Sequence, residues 1–153
     1  MEDMHMHLKK GVTDISIMQK YVEKCKEMKL NRVLFLDHGN RMSPKHTSVL
    51  NENKVIDKFF ENIKIVKENN PDIEINAGIE SDFSYDEEFK EKEIKILKSY
   101  PFDYIIGSVH GMEKVNYIDY LQANIDMIKT YPINIVGHLK LRKEYEQYKE
   151  KIE

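Results

Sequence analysis

The chain of 153 residues is long enough for one domain with a buried core, and its 41% hydrophobic and 33% charged residues are typical of a globular protein. A net charge of −3, with both signs interspersed, excludes a strong general attraction to nucleic acid or to a membrane surface. The single cysteine, Cys25, excludes an internal disulfide, and no apolar run approaches the roughly 20 residues of a membrane span. With no signal-peptide pattern at the amino terminus, we expect one cytoplasmic domain over residues 1–153.

Five short runs of the chain are predicted to be strands, and an amphipathic segment predicted to be a helix follows each of them. In chain order the strands lie near 4–7, 33–38, 73–80, 104–110 and 133–138. The helices lie near 14–29, 51–69, 86–98, 117–130 and 142–152. In the fourth helix, the apolar face consists of Ile118, Leu121, Ile125 and Ile128. Strands that alternate with helices of this length are typical of parallel βα units.

The first strand differs from the four that follow it. Met4 and Met6 alternate with His5 and His7, so a period of two places both imidazoles on one face and both methionines on the other. The later strands are apolar runs, which are typical of parallel strands covered on both sides.

Every predicted strand ends in a side chain that can bind a metal or transfer a proton. These residues are His5, His7, His38, Glu80, His110 and His138, and they include five of the six histidines. Because the carboxyl ends of parallel strands meet at one edge of the sheet, the pattern predicts a shared metal centre there. Taken singly, each residue has a simpler interpretation: exposed histidines on an edge strand, a solvated glutamate, or histidines with a structural or capping role.

The same strand ends resemble a known family. The segments are Asp3 to His7 (DMHMH), Leu36 to His38 (LDH), Gly78 to Phe83 (GIESDF), Ile106 to His110 (IGSVH) and Gly137 to Leu141 (GHLKL). In order and spacing they resemble successive motifs of the PHP (polymerase and histidinol phosphatase) family, and above all its histidinol-phosphatase branch. The resemblance covers essentially the whole chain, and the set is more specific than any one of its parts.

The resemblance implies an α/β fold of parallel βα repeats, a distorted (β/α)7 TIM-like barrel that is partial here, with about five βα units. The late Asp-x-His pair of the family has no counterpart in this sequence, so a truncated PHP domain is expected. Five strands do not close such a barrel, and its outer strands would expose unpaired backbone. An open half-barrel capped by the last helix is one solution. A homodimer that completes the barrel is the other, and it is our prediction.

The resemblance also implies the metal ligands. Two sets share one carboxylate: His5, His7 and Glu80 for the first metal, and Glu80, His110 and His138 for the second. His38 would belong to a third site, which the missing Asp-x-His pair leaves incomplete. The cofactors would be two divalent ions of manganese, zinc or iron, and Glu80 and His110 would be catalytic. Paired cations bind a phosphate ester and activate water, so no nucleophilic side chain is needed.

Three further residues are predicted to contact a phosphorylated substrate. Arg41 resembles a phosphate-contacting arginine, Ser108 precedes His110 by two positions, and Lys140 follows His138 by two. The simpler interpretations are an exposed loop arginine, a serine that shapes a turn and a solvated lysine. The leading hypothesis is therefore a metal-dependent phosphatase, similar to histidinol phosphatases, that hydrolyses a small phosphomonoester.

Three alternatives belong to other classes. A catalytically reduced protein that sequesters a phosphorylated small molecule or nucleotide is favoured by the missing ligands and by lysines such as Lys9 and Lys140. A proofreading module that acts on nucleic acid is disfavoured, because no basic groove is evident. A degenerate remnant is disfavoured by five strand ends that all keep their ligands.

Overall fold

The computed structural model describes residues 1–41, 49–110 and 117–138. The strands of these ranges are β1 (Glu2–His7), β2 (Arg32–Leu36), β3 (Glu74–Asp82), β4 (Tyr104–Ser108) and β5 (Ile135–Val136). The α-helices are α1 (Ile15–Glu27), α2 (Asn53–Asn69), α3 (Glu87–Ser99) and α4 (Tyr117–Thr130), and a 3-10 helix covers Lys9–Thr13. The predicted helix at 142–152 lies outside the described residues.

The described strands form one parallel sheet in the order β1-β2-β3-β4-β5. Each strand pairs with the next strand along the chain, which is the connectivity of a βα barrel. The five strands with their helices make a half-barrel, so the predicted α/β class and the partial barrel of about five βα units are confirmed. All carboxyl ends lie at one edge, where the predicted metal ligands lie in the last residues of the strands or just after them.

Polar caps fix the starts of two helices. The Asp14 carboxylate accepts hydrogen bonds from the Ser16 and Ile17 amides, which are free donors in the first turn of α1. Asp86 accepts from the Phe89 amide at 2.8 Å at the start of α3. These caps, together with apolar spacings of three and four, explain why the helix boundaries predicted from the sequence lie close to those of the structure.

The sheet has a different apolar cluster on each face. On the helix side, the main core includes Val33, Phe35, Ile75, Ile79 and Ile105 from the strands and Met18, Val22, Ile56 and Phe59 from the helices. On the inner side, a small cluster contains Leu34, Leu36 and Ile106. Because side chains alternate along a strand, the inner face also receives Glu80 from β3 and Ser108 from β4.

The strict alternation predicted for β1 is wrong, because the strand contains a bulge. Asp3 pairs with Val33 but Met6 pairs with Phe35, so one extra residue of β1 lies between the two pairs. Met4 consequently packs on the inner cluster and Met6 on the main core, whereas His5 and His7 still share a face. The His5 amide donates to the Asp3 carboxylate at 3.0 Å inside the bulge.

The predicted core face of α4 is also wrong. Ile118, Ile125 and Ile128 are exposed by 66%, 44% and 54%, whereas Ala123 and Met127 are fully buried. The helix carries two apolar stripes about 100° apart, and periodicity cannot decide which of them meets the sheet. The exposed stripe leaves an apolar surface on the outer side of α4.

No helix in the described ranges is both long enough and apolar enough to cross a membrane.

Candidate metal centre

Glu80 lies at the centre of the carboxyl edge of the sheet, near the end of β3, and has no exposed surface. Its two carboxylate oxygens face different partners. On one side, Oε2 is 3.2 Å from His5 Nε2 and 3.1 Å from His7 Nε2. On the other side, Oε1 is 3.5 Å from His110 Nε2 and 3.6 Å from His138 Nδ1. One buried carboxylate therefore joins two pairs of imidazoles.

The ionised state of Glu80 is stabilised by its neighbours. Burial alone would raise the pKa of this carboxyl, but hydrogen bonds with His5 and His7 outweigh burial and hold the pKa well below its ordinary value. The Ser108 hydroxyl, which is also fully buried, donates to Oε1 at 2.7 Å. A charged carboxylate with both oxygens directed at imidazoles is suited to bridge two cations.

His7 is held between two carboxylates. Its Nδ1 lies 3.6 Å from Asp37 Oδ1, while its Nε2 faces Glu80. Hydrogen bonds with Asp37 and Glu80 raise the pKa of His7 to about 9 in the metal-free site, so a cation that binds at Nε2 has to displace the proton there. Asp37 is buried, and it also accepts from the His38 amide at 2.8 Å and from the Lys9 amide. Asp37 thereby orients the His7 ring from its Nδ1 side, opposite the nitrogen that faces Glu80.

His38 stands beside the first pair of imidazoles. Its ring stacks on the His7 ring at a centroid distance of 4.6 Å, and its Nε2 lies 3.5 Å from Glu80 Oε2. Burial lowers the pKa of His38 to about 4, so the ring is neutral near pH 7 and able to bind a cation. Its Nδ1 is buried without a hydrogen-bond partner among the described residues.

The second pair of imidazoles approaches from β4 and β5. His110 Nδ1 lies within hydrogen-bond distance of Asp82 Oδ1, at 2.8 Å. This contact orients the ring so that Nε2 points toward Glu80. His138 has a φ of 46°, a left-handed conformation that is uncommon for a residue with a side chain. The Tyr120 hydroxyl of α4 donates to the His138 carbonyl at 2.9 Å and supports this conformation.

A glycine is required directly before His138. A Cβ atom at Gly137 would collide with the Ser108 hydroxyl, the same group that donates to Glu80. The close approach of β5 to β4 at this point brings His138 to within reach of the carboxylate.

A second buried carboxylate, Glu93 of α3, supports the loop that follows β2. It accepts hydrogen bonds from the Asn40 side chain at 2.6 Å and from the Ser81 hydroxyl at 2.8 Å. Burial raises the pKa of Glu93. Because His38 and Arg41 flank the segment that Glu93 holds, this network ties the position of that loop to α3.

The arrangement of the donor atoms fits divalent metals. Within residues 1–41, 49–110 and 117–138, two groups have ligand atoms that all lie within 4.8 Å of one another: His5, His7 and Glu80, and Glu80, His110 and His138. His5 Nε2 and His7 Nε2 are only 2.9 Å apart, so these two ring nitrogens converge on one point. Three ligands of the histidine and carboxylate type with room for water or substrate are typical of catalytic sites for zinc and related metals.

A cavity of about 1100 Å³ opens beside the first group. His7, His38 and Arg41 line its polar end, and apolar side chains of the 3-10 helix, α1 and α2 line the remainder, among them Val12, Ile17, Tyr21 and Val55. Its size is sufficient for a small organic molecule.

The structure places the predicted substrate contacts as follows. The Arg41 side chain is mostly buried, with Nε 3.8 Å from Asp82 Oδ2, and it also lines the cavity. Ser108 is buried against Glu80. Lys140 lies outside the described residues. Contact of these three residues with a substrate stays a prediction.

Sequence reasoning missed the residues that support the ligands. Asp82 carried a usable signal, because it follows Glu80 by two positions and therefore shares its face of β3. Asp37 precedes His38 directly and was not given a role. Tyr120 and Glu93 belong to helices and had no signal, because only the tertiary structure brings them to the site.

Comparisons with known proteins agree with this fold. A family model described as the PHP domain matches residues 3–153. The histidinol-phosphatase of Lactococcus lactis is 25% identical over 167 aligned positions, which cover 97% of this chain and 60% of that protein. A crystal structure from Listeria monocytogenes, provisionally named histidinol phosphatase, matches with a TM-score of 0.56 at 16% identity, over 85% of this chain and 59% of that one. The chain thus spans about three fifths of the length of both relatives.

Proposed function

The chain belongs to the PHP domain family, and on that premise we propose that it is a metal-dependent phosphoesterase that hydrolyses a small phosphomonoester. The observation that carries the proposal is the buried Glu80 carboxylate, whose two oxygens face two separate pairs of imidazoles. The Lactococcus relative is named for the hydrolysis of histidinol phosphate. A compound of that class, a phosphate ester of a small alcohol, is the substrate that we propose.

The residues around Glu80 would have separate roles in such a reaction. His5, His7, His110 and His138 would hold two divalent ions of manganese, zinc or iron, with Glu80 between them. Bound cations of this kind polarise the phosphoryl group, neutralise its charge and lower the pKa of water toward neutrality. Glu80 and His110 are catalytic in this proposal because they hold the reacting groups in place. His38 would assist at the first metal from its stacked position beside His7.

The adjacent cavity supports a small organic leaving group. Its polar end is formed by His7 and His38 of the centre and by Arg41, whose guanidinium is suited to a phosphate oxygen. The apolar remainder of the cavity would enclose the carbon skeleton of the alcohol. Lys9, which also lines the cavity, adds positive charge near the phosphate.

The test is orthophosphate release from a panel of phosphomonoesters, histidinol phosphate included, with added Mn²⁺. We expect wild-type protein to release phosphate and Glu80→Gln to lose at least about a hundredfold in rate, because both ligand groups lose a charged oxygen. Glu74→Gln is the matched control, since Glu74 lies on the same strand but is exposed at its other end, beside Arg32. It should keep the wild-type rate.

Absence of release from folded, metal-loaded wild-type protein would contradict the enzymatic proposal. Binding of a phosphomonoester without turnover would then favour the alternative, a protein that sequesters a phosphorylated small molecule or nucleotide.

A further inference from the structure

Asp82 is a buried carboxylate that stands behind one of the candidate metal ligands. It is 1% exposed, and its Oδ1 lies 2.8 Å from His110 Nδ1. It belongs to neither group of candidate ligands. Because side chains alternate along β3, Asp82 lies on the same face as Glu80, two residues nearer to the end of the strand.

The contact decides where the proton of His110 lies. An ionised carboxylate can only accept hydrogen bonds, so the neutral ring facing it carries its proton on Nδ1. His110 Nε2, which is 3.5 Å from Glu80 Oε1, then keeps its lone pair and can bind a cation. The opposite tautomer would direct an N–H group at the metal position. A carboxylate behind a metal-binding histidine sets both tautomer and ring orientation in this way.

Arg41 occupies the other side of Asp82. Its Nε lies 3.8 Å from Asp82 Oδ2. A guanidinium can only donate hydrogen bonds. If residue 82 were an asparagine, its carbonyl oxygen would therefore face Arg41 and its NH2 group would face His110. His110 Nδ1 would have to accept, and the proton would move to Nε2.

We propose that Asp82 is a positioning residue that holds His110 in the Nδ1–H tautomer and thereby raises the metal affinity of the group formed by Glu80, His110 and His138. The inference rests on the proposed metal centre, but it does not depend on the substrate or on turnover. Asp82 would thus act on the metal site through His110, without contacting metal or substrate itself.

The experiment compares wild-type protein with Asp82→Asn. Long-range ¹H–¹⁵N spectra of metal-free protein labelled with [¹⁵N]histidine report the tautomer of each ring, and His110→Asn assigns the His110 signals. Zn²⁺ alone is the probe of affinity, in competition with a chromophoric chelator. Asp103→Asn is the control, because Asp103 also accepts a hydrogen bond, from the Ala77 amide at 2.8 Å, but directly precedes β4, at the edge of the sheet opposite the candidate metal centre.

We expect Nδ1–H in the wild type and Nε2–H in Asp82→Asn, with Zn²⁺ affinity at one of the two sites reduced at least about tenfold. The affinity of the other site, and both affinities of Asp103→Asn, should stay within about twofold of the wild type. Retention of the Nδ1–H tautomer and of both affinities in folded Asp82→Asn would overturn the proposal.

A second variant protects the test against misfolding. Asp82→Ala removes the acceptor without adding a donor, so it should lose the tautomer preference and also weaken one Zn²⁺ site at least about tenfold. Unchanged affinity in this variant would equally overturn the proposal. Neither the tautomer nor the Zn²⁺ affinity is measured with a phosphate ester. A failure of the proposed phosphatase function would therefore leave the proposal for Asp82 standing.

Discussion

Glu80 combines two properties that rarely occur together, complete burial and an ionised state. Burial of a lone carboxylate is costly, and the neighbouring imidazoles and the Ser108 hydroxyl offset that cost here. The sequence predicted Glu80 and its histidines because each lies at or near the end of a recognisable strand. Strand alternation indicated that Asp82 shares a face with Glu80, but the contacts of Asp82 with the His110 ring and of Asp37 with the His7 ring depend on how neighbouring strands are aligned.

The hydroxyl of Ser108 provides a test of how much one hydrogen bond stabilises this buried charge. Ser108→Ala leaves Glu80 Oε1 without its 2.7 Å donor, and we expect the free energy of unfolding of metal-free protein to fall by about 1.5–3 kcal/mol. Ser99→Ala is the control, because the Ser99 hydroxyl bonds to a helix carbonyl at the surface and should cost less than about 0.5 kcal/mol. Equal costs in urea titrations would contradict the account.

Glu93 provides a test of pH dependence. Its pKa in the folded protein is raised by burial above the ordinary value of 4.5, so folded protein binds its proton more tightly than unfolded protein does. Above pH 4.5 this carboxyl therefore destabilises the fold progressively, until the pH passes its folded pKa. Glu93→Gln cannot ionise, so the stability of the variant relative to wild type should rise as the pH increases above 4.5. Urea titrations with chelator present check this; a constant difference would contradict the raised pKa.

At the scale of the elements, periodicity predicted the four described helices to within two residues at each end. Capping residues such as Asp14 and Asp86 made these boundaries local properties of the sequence. The bulge in β1 and the buried face of α4 are not determined by the local sequence. The bulge depends on the register with β2, and the choice between two apolar stripes of α4 depends on the shape of the sheet.

The two stripes of α4 can be distinguished by matched substitutions. Met127→Ala removes a fully buried side chain and should lower the free energy of unfolding by about 2–5 kcal/mol. Ile125→Ala removes a side chain that is 44% exposed and should cost less than about 1 kcal/mol. Thermal or urea unfolding measures both. A cost at Ile125 comparable with that at Met127 would show that the exposed stripe is covered in solution.

At the scale of the whole molecule, the α/β class followed from the alternation of strand and helix, whereas the barrel, with its sequential order of strands, followed from the resemblance to the PHP family. The described sheet ends at β1 on one side and at β5 on the other. Charged residues and a bulge in β1 make that edge a poor template for further pairing. The homodimer expected from the open edges stays a prediction, as do the role of Lys140 and the cytoplasmic location.

The structure unites in one site what the sequence showed as five separate strand ends. Their convergence on Glu80 is a property of the half-barrel, because His5 and His7 lie on β1, Glu80 lies on β3, and His110 and His138 follow β4 and β5. The central claim is therefore that one carboxylate couples two metal positions. Identity and number of the ions are not encoded in any single motif, since histidine and carboxylate ligands accept several divalent metals.

The most direct test is the number of Zn²⁺ or Mn²⁺ ions retained per chain, measured by elemental analysis after dialysis against a weak chelator. We predict two ions for wild type and for Glu74→Gln, one in each ligand group, and fewer than one for Glu80→Gln. Each group would then keep only two histidines. Retention of two ions by Glu80→Gln, or of none by the wild type, would contradict the account of Glu80 as the shared ligand of a two-metal centre.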